Sequence, residues 1–185
     1  MIVNKLRYLK KYLNSSEKAI ISRCCKSLKT YFAENNLINI NYCARSLKLY
    51  EYVLNICQEK KLLLHAAIRF GYQKYFKKLY DSIDKSNIKG MNLLIIALEA
   101  KNIDMLKLLN NLNCKPNWEI GRYIGYDSVC TKYVCEEILS KNPFLYKIVK
   151  GNERPTINAV KTGNVEILKY LYDEGFRVNI ANGIL

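Results

Sequence analysis

Histidine is almost missing from this chain: His65 is the only one in 185 residues. Common zinc sites need cysteine and histidine in close pairs. Seven cysteines are present, at 24, 25, 43, 57, 114, 130 and 135, yet no Cys-x-x-Cys occurs among them. The closest pairs are Cys24-Cys25 and Cys130 with Cys135, which build none of the usual metal patterns. An odd number of cysteines set among apolar residues reads as structural thiols in a reducing compartment. No metal and no cofactor are expected.

Long apolar runs are missing as well. None approaches the roughly 20 residues that a membrane helix needs. Met1 to Asn14 carries scattered basic residues and no continuous apolar core, which excludes a secretory signal. Half of the residues are hydrophobic and a quarter charged, the balance of a folded soluble chain. A cytoplasmic or nuclear location, with no membrane partner, is the expectation. Catalytic groupings are absent too. His65 has no nucleophile at a recognisable spacing. Gly121-Arg-Tyr-Ile-Gly125 lacks the Gly-Lys-Ser/Thr ending of a phosphate loop, and Glu136-Glu137 reads as a solvated pair. No catalytic residue is assigned and an enzyme is not expected.

Positive charge is what the chain has in excess. The formal net charge is +14, and it is uneven: residues 1–80 hold 16 Lys and Arg against 4 Asp and Glu, while residues 81–185 hold 14 against 12. An acidic partner docking on the N-terminal part is one reading. A solvated face that maintains solubility, inflated by the Lys-, Asn-, Ile- and Tyr-rich bias of AT-rich coding sequence, is the other.

The stretch Asn92–Asn117 shows how the chain is built. Leu94, Ile96 and Ala97 form one apolar face; Ala100-Lys101-Asn102 breaks the pattern; Ile103, Met105, Leu106, Leu108 and Leu109 form a second face at helical spacing. Two helices this short are not stable alone and must lie against neighbours. The pattern recurs: the small residue of each first helix falls at Ala44, Ala67, Ala97 and Ala159, with gaps of 23, 30 and 62. A period near 30 with helix–turn–helix content predicts an all-α stack of repeats. Gly71 and Gly163 end first helices where φ is positive, and Asn102 can also adopt that conformation in the central repeat. Pro155 suits a first helical turn.

On these residues the chain resembles the ankyrin-repeat family. His65 stands at the family's histidine position, with Gly71-Tyr72 as its turn. Asn102 to Leu109 matches the second helix, with Cys114-Lys115-Pro116-Asn117 as the exit. Pro155, Ala159, Gly163-Asn164, Glu166 to Leu171 and Gly175 to Asn179 carry the closest match. Leu62-Leu63 and Asn92-Leu93 replace the family's Thr-Pro, so its Thr–His hydrogen bond is missing there. The resemblance implies a single domain over 1–185: an ankyrin-like solenoid of helix–turn–helix repeats with short hairpin loops. Residues 1–36 would form an N-terminal helical cap or degenerate repeat, followed by repeats at 37–61, 62–91, 92–117, 118–150 and 151–185.

Stability in such a stack is roughly a sum of repeat and interface terms, and its ends need covering. Asn179 to Leu185 reads as a hairpin leading into a further repeat. The alternatives are a fragment, a last repeat covered by a partner or by a second copy in a homodimer, or a frayed end. The resemblance further implies a non-enzymatic protein–protein interaction module. Divergent repeats in such a composition resemble those of large DNA viruses or intracellular pathogens, which implies a factor that binds a host protein inside the host cell. Candidate partner-facing residues are Arg69 and Lys101 at first-helix ends, Lys85, Lys89 and Lys115 in hairpins, and Trp118 after the last of these. The alternatives are nucleic-acid contact by Lys10, Lys11, Lys26, Lys29, Lys60, Lys61, Lys74, Lys77 and Lys78, and a structural subunit of a larger assembly.

Overall fold

A computed structural model describes residues 40–55, 57, 59–88 and 90–178, and all regular structure among them is helical. The expected cap over 1–36 and the hairpin at 179–185 lie outside the described residues. Two compact units divide the chain, Met1–Lys89 and Gly90–Leu185. Each is taken by itself.

In the first unit, α1 (Ile40–Cys43) and α2 (Leu47–Leu54) precede α3 (Lys60–Arg69), α4 (Gln73–Ser82) and the single turn α5 (Lys85–Ile88). Leu63, Leu64, Ala66, Ala67 and Ile68 bury one side of α3, and Phe76 and Leu79 face it from α4. The Lys60 ammonium donates to the Ser82 carbonyl at 3.2 Å, so the start of α3 lies beside the end of α4 and the pair is antiparallel. Tyrosines join the pairs. Tyr50, fully buried on α2, donates to the Leu63 carbonyl at 2.6 Å. Tyr72 donates to the Ala44 carbonyl at 2.7 Å.

The second unit opens with α6 (Leu93–Glu99) and α7 (Ile103–Asn111), then a 3-10 helix at Trp118–Arg122. Next comes α8 (Ser128–Tyr133), continued without a break as π-helix over Val134–Leu139, then α9 (Pro143–Lys150), α10 (Arg154–Lys161) and α11 (Val165–Asp173). The 3-10 helix packs against α6 and α10, and α8 packs against α7 and α11. Two rows of helices result, with α9 laid across the 3-10 and π segments. Pro155 falls in the first turn of α10, as its missing N–H predicts.

The joint between the two helices of a pair is built in the same way three times. At the end of α3 the Gly71 amide bonds to the Ile68 carbonyl and the Tyr72 amide to that of Ala67. Lys101 and Asn102 bond in the same way to Leu98 and Ala97, and Gly163 and Asn164 to Val160 and Ala159. This is the Schellman closure, which satisfies the orphan carbonyls of a helix end through one left-handed residue. The recurring small residues Ala67, Ala97 and Ala159 thus supply the accepting carbonyl each time. The residue after the left-handed one starts the next helix. The Asn102 and Asn164 side chains accept from the Met105 and Ile167 amides, each at 3.0 Å.

Two expectations are corrected here. The left-handed residue of the central joint is Lys101, with φ 54°, and not Asn102, whose φ is −104°. Asparagine is worth more as the cap of α7, where its carbonyl oxygen meets an orphan amide. Lys85 sits in a helical turn, not in a hairpin. Lysine at positive φ costs about 1 kcal/mol against glycine. Lys101→Gly is therefore expected to raise stability by about 0.5–1 kcal/mol in urea denaturation, the glycine's extra unfolded-state freedom offsetting the rest.

Candidate partner-binding surface

The predicted cations of the first unit divide into committed and uncommitted ones. Lys60 is held by Ser82. Lys85 stands over the Tyr80 ring, 3.3 Å from its centre, and bonds the Tyr80 carbonyl, so it serves the end of α4. Arg69 closes α3, and Lys61, Lys74, Lys77 and Lys78 are exposed. Lys74, Lys77 and Lys78 share the outer face of α4, three and four positions apart. No ion pair holds these three among the described residues. Lys89, Lys10, Lys11, Lys26 and Lys29 lie outside the described residues.

In the second unit Lys101 and Lys115 are exposed, and Trp118 is half exposed at 50%. Trp118 stays at the surface because of how its helix begins. The Asn117 side chain caps the 3-10 helix by accepting from the Glu119 amide at 3.0 Å. The same oxygen accepts from the Asn92 side chain at 2.6 Å, tying the start of α6 to the exit of α7. The Arg122 guanidinium lies 4.9 Å from the indole centre and 4.0 Å from the Glu119 carboxylate. A cation over an exposed indole is worth about 0.5–1 kcal/mol. The result is a fixed aromatic plate edged by positive charge, a combination suited to anchoring a partner.

Below it the loop Arg122–Gly125 is clasped by α10. The buried Asn158 amide donates to the Arg122 carbonyl at 2.9 Å and the Ile124 carbonyl at 2.8 Å. The Gly125 amide donates to the Thr131 hydroxyl at 3.0 Å. These contacts set where Trp118 emerges, and an asparagine one residue before the small Ala159 was the available signal for them.

At the far end, α9 is tied to α11. Tyr146 donates to Glu174 at 2.7 Å, and the Lys150 ammonium approaches the same oxygen at 3.3 Å. The tyrosine hydrogen bond, then the lysine, hold the Glu174 carboxyl below its ordinary value of 4.5 against the opposing effect of burial. A depressed folded value means stability that is complete above the unfolded value and lost as pH falls through the folded one. Glu174→Gln is expected to cost about 1 kcal/mol at pH 7, discounted for exposure. The gap from wild type should close progressively as pH falls below 4.5 in thermal melts.

Thiol chemistry is suppressed. Burial pushes Cys43 up to about 11 and Cys135 to about 12. Burial followed by the Asp127 carboxylate pushes Cys130 to about 12. Thiols held this high are protonated near neutrality and weakly nucleophilic. Among the described residues no group of three or more His, Cys, Asp or Glu is placed to hold a metal ion. No helix there is long and apolar enough to cross a membrane.

Sequence reasoning overlooked the outer face of α9. Phe144 is 77% exposed and Ile148, one turn later, 45%. Hydropathy alone cannot separate such residues from core, though their spacing opposite the buried Leu145 and Val149 was a usable signal. Compared with protein-family models, curated proteins and solved structures, the chain matches none.

Proposed function

We propose that this chain is a non-enzymatic protein-binding module built as a divergent helical-repeat stack of the ankyrin type. The observation that carries the reading is the joint repeated at Ala67–Tyr72, Ala97–Asn102 and Ala159–Asn164, with one helix of a pair on either side each time. Antiparallel packing supports it: Asn92 bonds Asn117 across the ends of α6 and α7, and Thr156 bonds the Arg177 carbonyl across those of α10 and α11. Stacked pairs present a continuous surface to a partner rather than a closed cavity. Trp118, with Lys101 and Lys115, is the partner-facing anchor. Cys57, Cys130 and Cys135 are free thiols, which suits a reducing cytoplasm or nucleus, a host's if the chain is viral.

Proximity labelling in the native cell tests this, comparing wild type with Trp118→Ala and with the pair Lys101→Glu, Lys115→Glu. A discrete protein neighbour should fall about tenfold in both, the loss of one hot spot. Neighbours identical in all three overturn the assignment of this surface, and no discrete neighbour in wild type overturns the function.

A second reading has its own observation: Lys74, Lys77 and Lys78 share one exposed face that makes no ion pair among the described residues. Contact with three phosphates would give a salt slope of about −3 in log affinity for duplex nucleic acid. Random-sequence DNA and RNA titrated at low salt, against Lys74→Glu with Lys78→Glu, check it. Absence of binding to both removes it.

A further inference from the structure

We infer that the groove between α9 and α10 is a docking site for an acidic peptide segment of a partner protein, one that carries an apolar anchor between carboxylates. The inference rests on the protein-binding reading and assigns a second contact surface to it.

The groove has a volume of about 660 Å³. Ile148 and Ile157 give it an apolar floor, and Arg154, Lys161 and Arg177 stand around it. Spacing explains the arrangement. Arg154, Ile157 and Lys161 follow one another at i, i+3 and i+7 on α10, so they share a face, while Thr156, Asn158 and Ala159 turn inward and are buried. On α9, Phe144 and Ile148 are one turn apart on the outer side, with Lys147 exposed next to them.

Charge decides the occupant. Among the described residues the only carboxylate lining the groove is Glu153, and it is already held by Arg177 at 3.3 Å. Lys150 in turn is matched with Glu174. Lys147, Arg154 and Lys161 have no ion pair among the described residues. Of the groove's own cations, Arg154 and Lys161 are uncompensated and stand beside the aliphatic Ile148 and Ile157, which favours a ligand that is both acidic and apolar. Nucleic acid would use the cations and leave Ile148 and Ile157 in water. A peptide helix or extended segment with an apolar side chain between Asp or Glu residues uses both. A pocket of this volume accommodates one large apolar side chain and its neighbours.

The test is panning of a random linear peptide library displayed on phage against the full chain, followed by fluorescence anisotropy of the enriched peptides. Variants are Arg154→Glu, Ile148→Asp and, as a control on α7, Lys107→Ala, all at exposed positions, with thermal melts to establish that each is folded. Enriched peptides should carry Asp or Glu on both sides of an apolar residue. Their affinity should fall about tenfold with Arg154→Glu and with Ile148→Asp, and stay unchanged with Lys107→Ala. Four results overturn the inference: no enriched peptide; enrichment without acidic residues; affinity indifferent to the groove variants; or sedimentation showing a self-association that those variants abolish, which gives the face to a second copy. If the peptides fail while the labelled neighbour still depends on Trp118, only the groove is lost. If both fail, the protein-binding reading goes with it.

Discussion

Gly125→Ala is expected to destabilise the second unit by about 4 kcal/mol or more. Gly125 holds φ at +96°, where a Cβ is strained in any surroundings. Space makes this worse, because an added Cβ would lie 2.1 Å from the Pro155 carbonyl oxygen and 3.1 Å from the Ala159 amide. These are backbone atoms of α10 and cannot rotate away. Relief requires the loop to leave the helix, which breaks both Asn158 hydrogen bonds and strands the Arg122 and Ile124 carbonyls. Buried acceptors left without donors cost about 1–3 kcal/mol each. Hydrogen exchange read by segment should show protection lost over residues 118–161 first. Gly90→Ala is the control: its added Cβ meets nothing within 4 Å, and the change should stay within about 0.5 kcal/mol. A Gly125→Ala protein as stable as that control would disprove the clasp.

Tyr50→Ala is expected to cost about 4 kcal/mol in the first unit, where one ring joins two helix pairs. Its ring centre lies 5.0 Å from that of Tyr72 and 5.9 Å from that of Tyr75, and its side chain is fully buried. Truncation leaves a cavity among aromatic rings and removes the hydroxyl bond to Leu63. Tyr50→Phe separates the two contributions. It keeps the ring and should cost about 1 kcal/mol, the share of the hydrogen bond. Urea denaturation followed by circular dichroism measures both. Equal losses in the two variants would mean that the hydroxyl, not the packing, holds the pairs together.

The helices of residues 60–82, 93–111 and 154–173 were legible because an apolar face repeats locally, at three and four residues. Ala97, Asn102 and Leu106 announce a helix, a stop and another helix without help from anything distant. The stretch 118–150 was not legible in that way. Val134, Cys135, Ile138 and Leu139 are all buried, and their spacing of one, three and one fits a π turn as well as an α turn. The choice between them falls to contacts that spacing does not encode. Gly125 was visible as a glycine, but its need for φ of +96° comes from α10, thirty residues later. Lys101 was hidden by its own chemistry, since a long cation is the last residue that a left-handed turn would suggest.

The candidate surface was legible to a similar degree. Trp118 stood out as the single tryptophan beside a turn, and the structure leaves it half exposed. Lys85 and Lys60 were visible as charges, yet their partners, Tyr80 and Ser82, are set by how helix ends meet. Arg154 and Lys161 were indistinguishable from any surface cation until α9 supplied the other wall of the groove.

The three joints have a consequence for length. Asn102 and Asn164 each complete one helix with the backbone and begin the next with the side chain, so the joint contains no slack residue. One residue inserted there separates the two duties and removes both a closure and a cap, about 1 kcal/mol for the cap alone. Asn113 and Cys114 close α7 in the same way, but Lys115 and Pro116 carry no such duty, and insertions belong there. Related chains that differ in length should thus vary between helix pairs and keep count within them.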